Sequence, residues 1–322
     1  MKKSISRALV VSALVGVASL IIATPAFAAA TVSPTTLVTG YYAGGSAYNP
    51  AGDTVAVAAG GQSNPAYPPV YDSEVDFIDV KTNTVTVVKD PAITAAISVA
   101  WSPDGTTLYA LNADTDIAVI DVATHTVTDN LTSGSSINPY GLAITPDGNY
   151  LLVGDYSVDN LSAIIDIANN TATTLTYSAD DTVGVFVSPD GSKGYVVDYY
   201  GEVNVFDLTN PSYPVINTLQ FDGMSYGGTS ACSNFDVSVL YMVDYNEAPF
   251  IANVSRLDLN SGASISTTTA VGESIGCNMT PDGTSVLLAS SGGDYPGVVE
   301  ERDATTLDLV TTYTVSQIDS TD

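Results

Sequence analysis

The chain has 322 residues and is strongly acidic, with 35 Asp and Glu against eight Lys and Arg and a formal net charge of −27. A charge of that sign repels nucleic acid and anionic lipid, which excludes both as partners. Charged residues make up only 13% of the chain and apolar ones 45%, a blend that excludes a disordered acidic tail and suits a β-rich globule.

Residues 1–28 read as an export signal. Lys2, Lys3 and Arg7 precede an apolar run from Ala8 to Ile22, and Ala26-Phe27-Ala28 supplies a small-x-small cleavage site. The alternative is an uncleaved anchor, but the run falls short of the roughly 20 apolar residues that a spanning helix needs. Cleavage removes three cations and no acid, leaving five basic groups against 35 acidic ones. The product is expected to be secreted or held at the cell surface, with no membrane span after signal cleavage. Residues 29–44 form an N-terminal segment in which Thr35-Thr-Leu-Val-Thr39 reads as a lone strand, a candidate for closing a ring.

Residues 45–322 read as one repetitive domain. In the stretch 140–182, four short apolar runs rich in Ile, Val, Leu, Tyr and Thr alternate with turn residues. Each run is too short for a helix and has the composition of a strand. Pro-Asp-Gly turns recur at Pro103-Asp104-Gly105, Pro146-Asp147-Gly148, Pro189-Asp190-Gly191 and Pro281-Asp282-Gly283. A variant stands at Pro50-Ala51-Gly52-Asp53 and a worn copy at Asn234-Phe235-Asp236. Proline presets the first corner, Asp bonds the backbone and Gly takes the left-handed conformation. A second series ends each third strand in an acid: Asp79, Asp121, Asp166, Asp207, Asp258 and Asp303, each expected to accept hydrogen bonds from turn amides. The period is that of a propeller blade. The expected fold is therefore all-β, a β-propeller of six four-stranded blades. A seventh is possible only with unusual closure, because the last copy owns a fourth strand at Leu309-Val-Thr-Thr-Tyr-Thr314.

The segments Ser102-Pro-Asp-Gly-Thr-Thr-Leu-Tyr-Ala-Leu-Asn112, Ile117-Ala-Val-Ile-Asp121 and Tyr140-Gly-Leu-Ala-Ile-Thr-Pro-Asp-Gly148 carry a resemblance. They resemble the YVTN-type β-propeller repeat of exported and surface-layer proteins, with Tyr109-Ala-Leu-Asn112 at the namesake position. The match is good over copies two to four, loose in one and six and poor in five. The resemblance implies an exported propeller and assigns no chemistry.

The loops between second and third strands repeat an acid, mostly beside a tyrosine: Asp72, Asp114, Asp155-Tyr156, Asp198-Tyr199-Tyr200, Asp244-Tyr245 and Asp294-Tyr295. Tyr41-Tyr42, Tyr140 and Tyr226 add phenols from the loops between blades. On a propeller these loops share one face, which makes a rim of carboxylates and phenols for a cation, a sugar or a basic protein surface. The competing reading is that the pairs end a strand and decorate an exposed loop. No metal ligand set is assigned and no cofactor is expected. Calcium is possible only as a site assembled from several blades, since the compact acid-rich calcium loop is missing. Zinc is unsupported by one His and two Cys. His125 falls in a turn on the opposite face, away from a Ser-His-Asp arrangement.

Cys232 and Cys277 are expected at matching places in neighbouring first strands, where other copies hold Leu142 and Val185. In an exported chain they suggest a disulfide between blades five and six, with two buried free thiols as the alternative. Trp101 is expected to pack between blades. The expected function is a secreted, non-catalytic binding or scaffold protein of the cell envelope or extracellular space, its partner an envelope protein or a glycan. The alternative is a lactonase-like propeller hydrolase, possibly calcium-assisted. An electron-transfer role ranks behind both, for want of haem-type or copper-type ligands.

Overall fold

Short β-branched and aromatic runs, cut by Pro-Asp-Gly and Asp-Asn/Thr turns, fold as antiparallel strands from residue 43 to residue 315. The computed structural model describes Arg7–Leu9, Ser19–Ala23, Thr35–Thr36 and residues 43–315, apart from 60–61, 65–69, 72, 135–138, 157–160, 178–180, 225–226, 246–252, 269–273, 281 and 293–294. Six four-stranded sheets follow one another in the chain, each built from four strands in sequence order. Their first strands are Ala43–Tyr48, Ala96–Trp101, Pro139–Ile144, Thr182–Val187, Gly227–Ser233 and Ser274–Met279, and consecutive first strands lie side by side. The sheets are thus the blades of a six-bladed β-propeller. The sixth blade uses its own outer strand, Leu309–Val315. Thr35–Thr36 pairs with Ser19 and Leu20, while residues 37–42 lie outside the described residues.

Middle strands are apolar on both sides because each blade is sandwiched between two neighbours. Leu151, Val153 and Ile165 of blade three pack with Tyr109, Leu111 and Ile117 of blade two. The intervening Leu152 and Ile164 face the other way, onto Val185, Val187, Val196 and Phe206 of blade four. Outer strands lose this requirement, and Thr171–Thr174 is exposed throughout.

The turns hold the disc together at one end. In blade four, Asp190 Oδ1 accepts hydrogen bonds from Ser188 Oγ at 2.6 Å, Ser192 N at 3.0 Å and Ser192 Oγ at 2.8 Å. Ser188 Oγ in turn accepts from Lys193 N at 2.9 Å. Asp104 and Asp147 repeat the pattern. Successive turns also touch. A Cβ added at Gly105, Gly148 or Gly191 would lie 3.4 Å from the Cδ of Pro50, Pro103 or Pro146, so each turn leans on the proline of the blade before it. The third-strand acids accept turn amides as expected: Thr82 N to Asp79 at 2.8 Å, Thr124 N to Asp121 at 2.8 Å and Ser261 N to Asp258 at 2.8 Å.

Cys232 and Cys277 form a disulfide between blades five and six, with Cα atoms 5.7 Å apart. The pairing is as expected, but the matching-position argument behind it is corrected by the register. Cys277 lies opposite Leu288 as Val185 lies opposite Val196, whereas Cys232 lies opposite Tyr241 as Phe186 lies opposite Tyr195. The cysteines are one position out of step. That offset is what lets them meet, because alternate residues of a strand point to opposite faces. Cys232 faces forward onto blade six and Cys277 faces back onto blade five. Both sit in the apolar layer between the two blades, with Val239, Tyr241, Met279 and Leu288. Trp101 fills the junction of blades one and two. Its ring meets Phe77 edge-on at 5.6 Å and its Nε1 donates to Ala47 O at 2.9 Å.

Three expectations about stability follow from these contacts. Val237 adopts φ 46°, whereas the glycines at the corresponding place in blades two, three, four and six take φ 69–73°. A β-branched residue in this region costs on the order of 1–2 kcal/mol. Val237→Gly is therefore expected to raise unfolding free energy by about 1 kcal/mol in urea titration, after loss of the valine's own packing.

The Asp104, Asp147 and Asp190 carboxyls are held below the ordinary value of 3.8 by turn hydroxyls first and turn amides second, Asp190 falling to about 2. With the folded pKa lowered, the unfolded chain takes up protons first as the medium is acidified. The stabilisation is complete above 3.8 and is lost as the pH falls through 3.8 towards about 2. Urea midpoints should fall across that window, and less steeply in Asp190→Asn. Equal slopes would remove the turn carboxylate as the cause.

The disulfide closes a loop spanning a sequence separation of 45. Cys232→Ser with Cys277→Ser should cost roughly 2–4 kcal/mol on the chain-entropy scale. A double variant as stable as the parent would contradict this.

Candidate functional site

Every first strand enters the sheet through an irregularity in register at its start. In blade three the bulge lies between Pro139 and Gly141 and leaves Tyr140 unpaired. In blade five it lies between Gly228 and Ser230, at Thr229. A bulge turns its side chain away from the alternation of the strand. These positions encircle the central axis at the end of the disc opposite the Pro-Asp-Gly turns, beside the loops between second and third strands.

Tyr140 is 42% exposed, and its hydroxyl donates to Thr229 O at 3.3 Å, reaching past blade four to blade five. Its ring stacks on Tyr156, with centroids 5.1 Å apart and planes 30° apart. Tyr199 and Tyr200 stand nearby in the tight hairpin after Asp198. That hairpin is closed by Gly201 N donating to Asp198 O at 3.1 Å, with Gly201 at φ 82°. Their rings meet edge-on at 5.3 Å, and Tyr200 is 56% exposed. Tyr199 is pinned on both sides: its N–H donates to Asp181 O at 2.7 Å and its carbonyl accepts from Gly228 N at 2.6 Å. A side chain at Gly227 would overlap the Tyr199 ring. Close approach of blades three to five likewise needs Gly154 and Gly184, whose Cβ atoms would lie 2.6 Å from Thr182 Cγ2 and 2.9 Å from Ala231 Cβ.

Burial pushes the Tyr140 phenol above its ordinary pKa, helped by Tyr156. Tyr156 is raised by burial, then by the Asp181 carboxylate and Tyr199. These phenols stay protonated at neutral pH. They are contact surfaces with hydrogen-bonding tips rather than nucleophiles or bases.

The acids expected on the rim divide into distinct environments. Asp155, Asp198 and Asp244 are buried, and each accepts a backbone amide across its own loop: Leu161 N at 2.8 Å, Glu202 N at 2.7 Å and Asn253 N at 2.6 Å. They brace loops from inside, as the amide of buried Asn112 does in blade two, where Nδ2 donates to Ala92 O at 2.8 Å. Asp114 is exposed and accepts from Thr94 Oγ1 at 2.7 Å. Asp72 and Asp294 lie outside the described residues, as do the side chains of Tyr245 and Tyr295.

The structure therefore joins four tyrosines of the expected rim, Tyr140, Tyr156, Tyr199 and Tyr200. Asp181, which sequence reasoning missed, supplies the nearby carboxylate. Its signal was the pair Asp180-Asp181 directly before a first strand. Beneath this surface a buried polar chain joins blades three and four. Asp155 N donates to Ser162 Oγ at 3.0 Å, Ser162 Oγ lies 2.5 Å from Tyr177 OH, and Tyr177 OH lies 3.5 Å from Thr182 Oγ1. Among the described residues no group of three or more His, Cys, Asp or Glu is placed to hold a metal ion. His125, the chain's single histidine, lies in the opposite turn with its ring edge-on to Phe77 at 4.9 Å.

No family model matches the chain, and no curated protein matches it. Among solved structures 1664 chains match, so the architecture alone does not select an activity. One is similar to this chain over 69% of its length and is titled Kuenenia stuttgartiensis Hydrazine Synthase. Its TM-score is 0.56 at 20% identity, and the alignment spans 66% of that chain. A likeness at that identity is one of fold, and it places this chain among β-propellers.

Proposed function

We propose that the chain is an exported, non-catalytic binding propeller of the YVTN type, contacting an envelope glycan or protein through the tyrosine face of blades three to five. The observation that carries this is the Tyr140–Tyr156 stack, half-exposed at the mouth of the axis and tied across two blades by the bond to Thr229 O. Stacked phenols present a flat apolar surface with polar tips, which suits the C–H faces and hydroxyls of sugar rings. The Tyr140 hydroxyl is tied to Thr229 O and its ring to Tyr156, so less side-chain freedom remains to be lost on binding. Export is supported by the basic-apolar-small pattern of residues 1–28 and by a disulfide, a bond that persists in oxidising compartments. The low count of cations keeps the surface strongly negative, which suits solubility outside the cell and disfavours acidic glycans.

The test is calorimetric titration of neutral cell-wall oligosaccharides against the parent and against Tyr140→Ala with Tyr156→Ala. Each ring contributes on the order of 1 kcal/mol of contact, so the double variant should bind at least about tenfold more weakly. Its melting temperature should be unchanged. Equal affinity in the two proteins would move the site off this face.

A further inference from the structure

The opposite end of the disc carries a second feature, independent of the tyrosine face. A cavity of about 330 Å³ opens between the turns of blades three and four. Asp147 and Asp190 stand on its walls, one from each blade, with Tyr150 and Tyr213 beside them and Ile164 and Leu208 supplying aliphatic surface. Both carboxyls are charged at any physiological pH, because turn hydroxyls and amides hold them below the usual range. Asp190 spends only Oδ1 on its turn. Among the described residues its Oδ2 accepts no hydrogen bond, which leaves that oxygen for a ligand.

The wall formed by Tyr213 is peculiar to this junction. The connection between third and outer strands runs from 208 to 214 in blade four, where blade three uses only 167–170. Tyr213 occupies the left-handed slot of this turn at φ 44°, its N–H donating to Asn210 O at 2.9 Å. The same slot holds Asn83 in blade one, His125 in blade two, Asn170 in blade three, Gly262 in blade five and Leu307 in blade six. A tyrosine there is conformationally unfavourable, and what it adds is a ring on the cavity wall.

We propose that this cavity binds an organic cation on an aliphatic stem, an alkylammonium or alkylguanidinium group. The stem lies along Ile164 and Leu208, and the charge sits between Asp147 and Asp190 against the ring of Tyr213. Each turn uses its own carboxylate, Asp147 Oδ2 also accepting from Asn149 Nδ2 at 2.8 Å, so the open oxygen is Asp190 Oδ2; beside it an aliphatic floor accepts methylenes and an aromatic face attracts a cation. The same chemistry is offered by a free amine and by a lysine or arginine side chain of a polypeptide.

The experiment titrates the whole protein with n-butylammonium, n-butylguanidinium, the uncharged control 1-pentanol, and the capped peptide acetyl-Gly-Lys-Gly-amide. The variants are Tyr213→Asn and Tyr213→Leu, which install residue types already found in this slot at Asn83, Asn170 and Leu307. Both are expected to keep the parent melting temperature. The cations should bind with one-to-one stoichiometry, weaken about tenfold in either variant, and weaken further with added salt. A peptide bound about tenfold tighter than butylammonium assigns the site to a polypeptide side chain, and a peptide bound equally or more weakly assigns it to a free amine. Failure of both cations to saturate, pentanol binding as tightly as butylammonium, or full affinity in a folded Tyr213 variant would each overturn the proposal.

Discussion

Every blade in this protein is apolar on both faces, and from that constraint the rest of the structure follows. Leu151, Leu152 and Val153 are consecutive and all fully buried, so no single sheet can satisfy its own sequence. A sheet that must be covered on both sides needs two neighbours, and a ring of radial blades gives each one that cover without leaving a bare face. The turns reinforce the arrangement by resting the glycine of one blade on the proline of the one before. Blade five has Phe235 in place of that proline and Val237 in place of the glycine; Gly283 of blade six rests on the Phe235 ring, and a covalent link joins the same two blades. The link lies within the layer those two blades share.

The same packing decides where polar chemistry can appear. Acids that end the second strands fall on the inner side of the loops, because the strands they terminate are buried to their last residue. Their oxygens go to loop amides. Tyr156 and Tyr199, one position further along, reach the surface. Tyr140 emerges for a different reason: a bulge at the start of its strand turns it out of the alternation, and Gly154 and Gly184 let three blades close beneath it. At the other end of the disc the turn aspartates are spent mainly on their own hydroxyls and amides. Between blades three and four a longer connection raises a wall and makes a cavity of them.

Much of this was legible in the linear chain. The spacing of Pro-Asp-Gly turns and third-strand aspartates is a local signal, since each turn is built from residues within about five positions of one another. It specified the strands, the blade count and the hydrogen bonds of Asp79, Asp121 and Asp258. Hydrophobic runs with no alternation marked strands covered on both faces. The pairing of Cys232 with Cys277 was also readable, from two cysteines in adjacent copies.

What the order of residues could not express was direction. A shift of one residue reverses the face of a strand, so Cys232 and Cys277 meet because one stands opposite Tyr241 and the other opposite Leu288, one step apart along equivalent strands. For the same reason the buried carboxyls of Asp155, Asp198 and Asp244 accept loop amides, while Tyr156 and Tyr199 were brought together from separate blades. Local turns are decided by near neighbours and can be read in order. Which side chains converge depends on contacts between blades some 40 to 90 residues apart, as in the bond from Tyr140 to Thr229, and these exist only once the ring has closed around its axis.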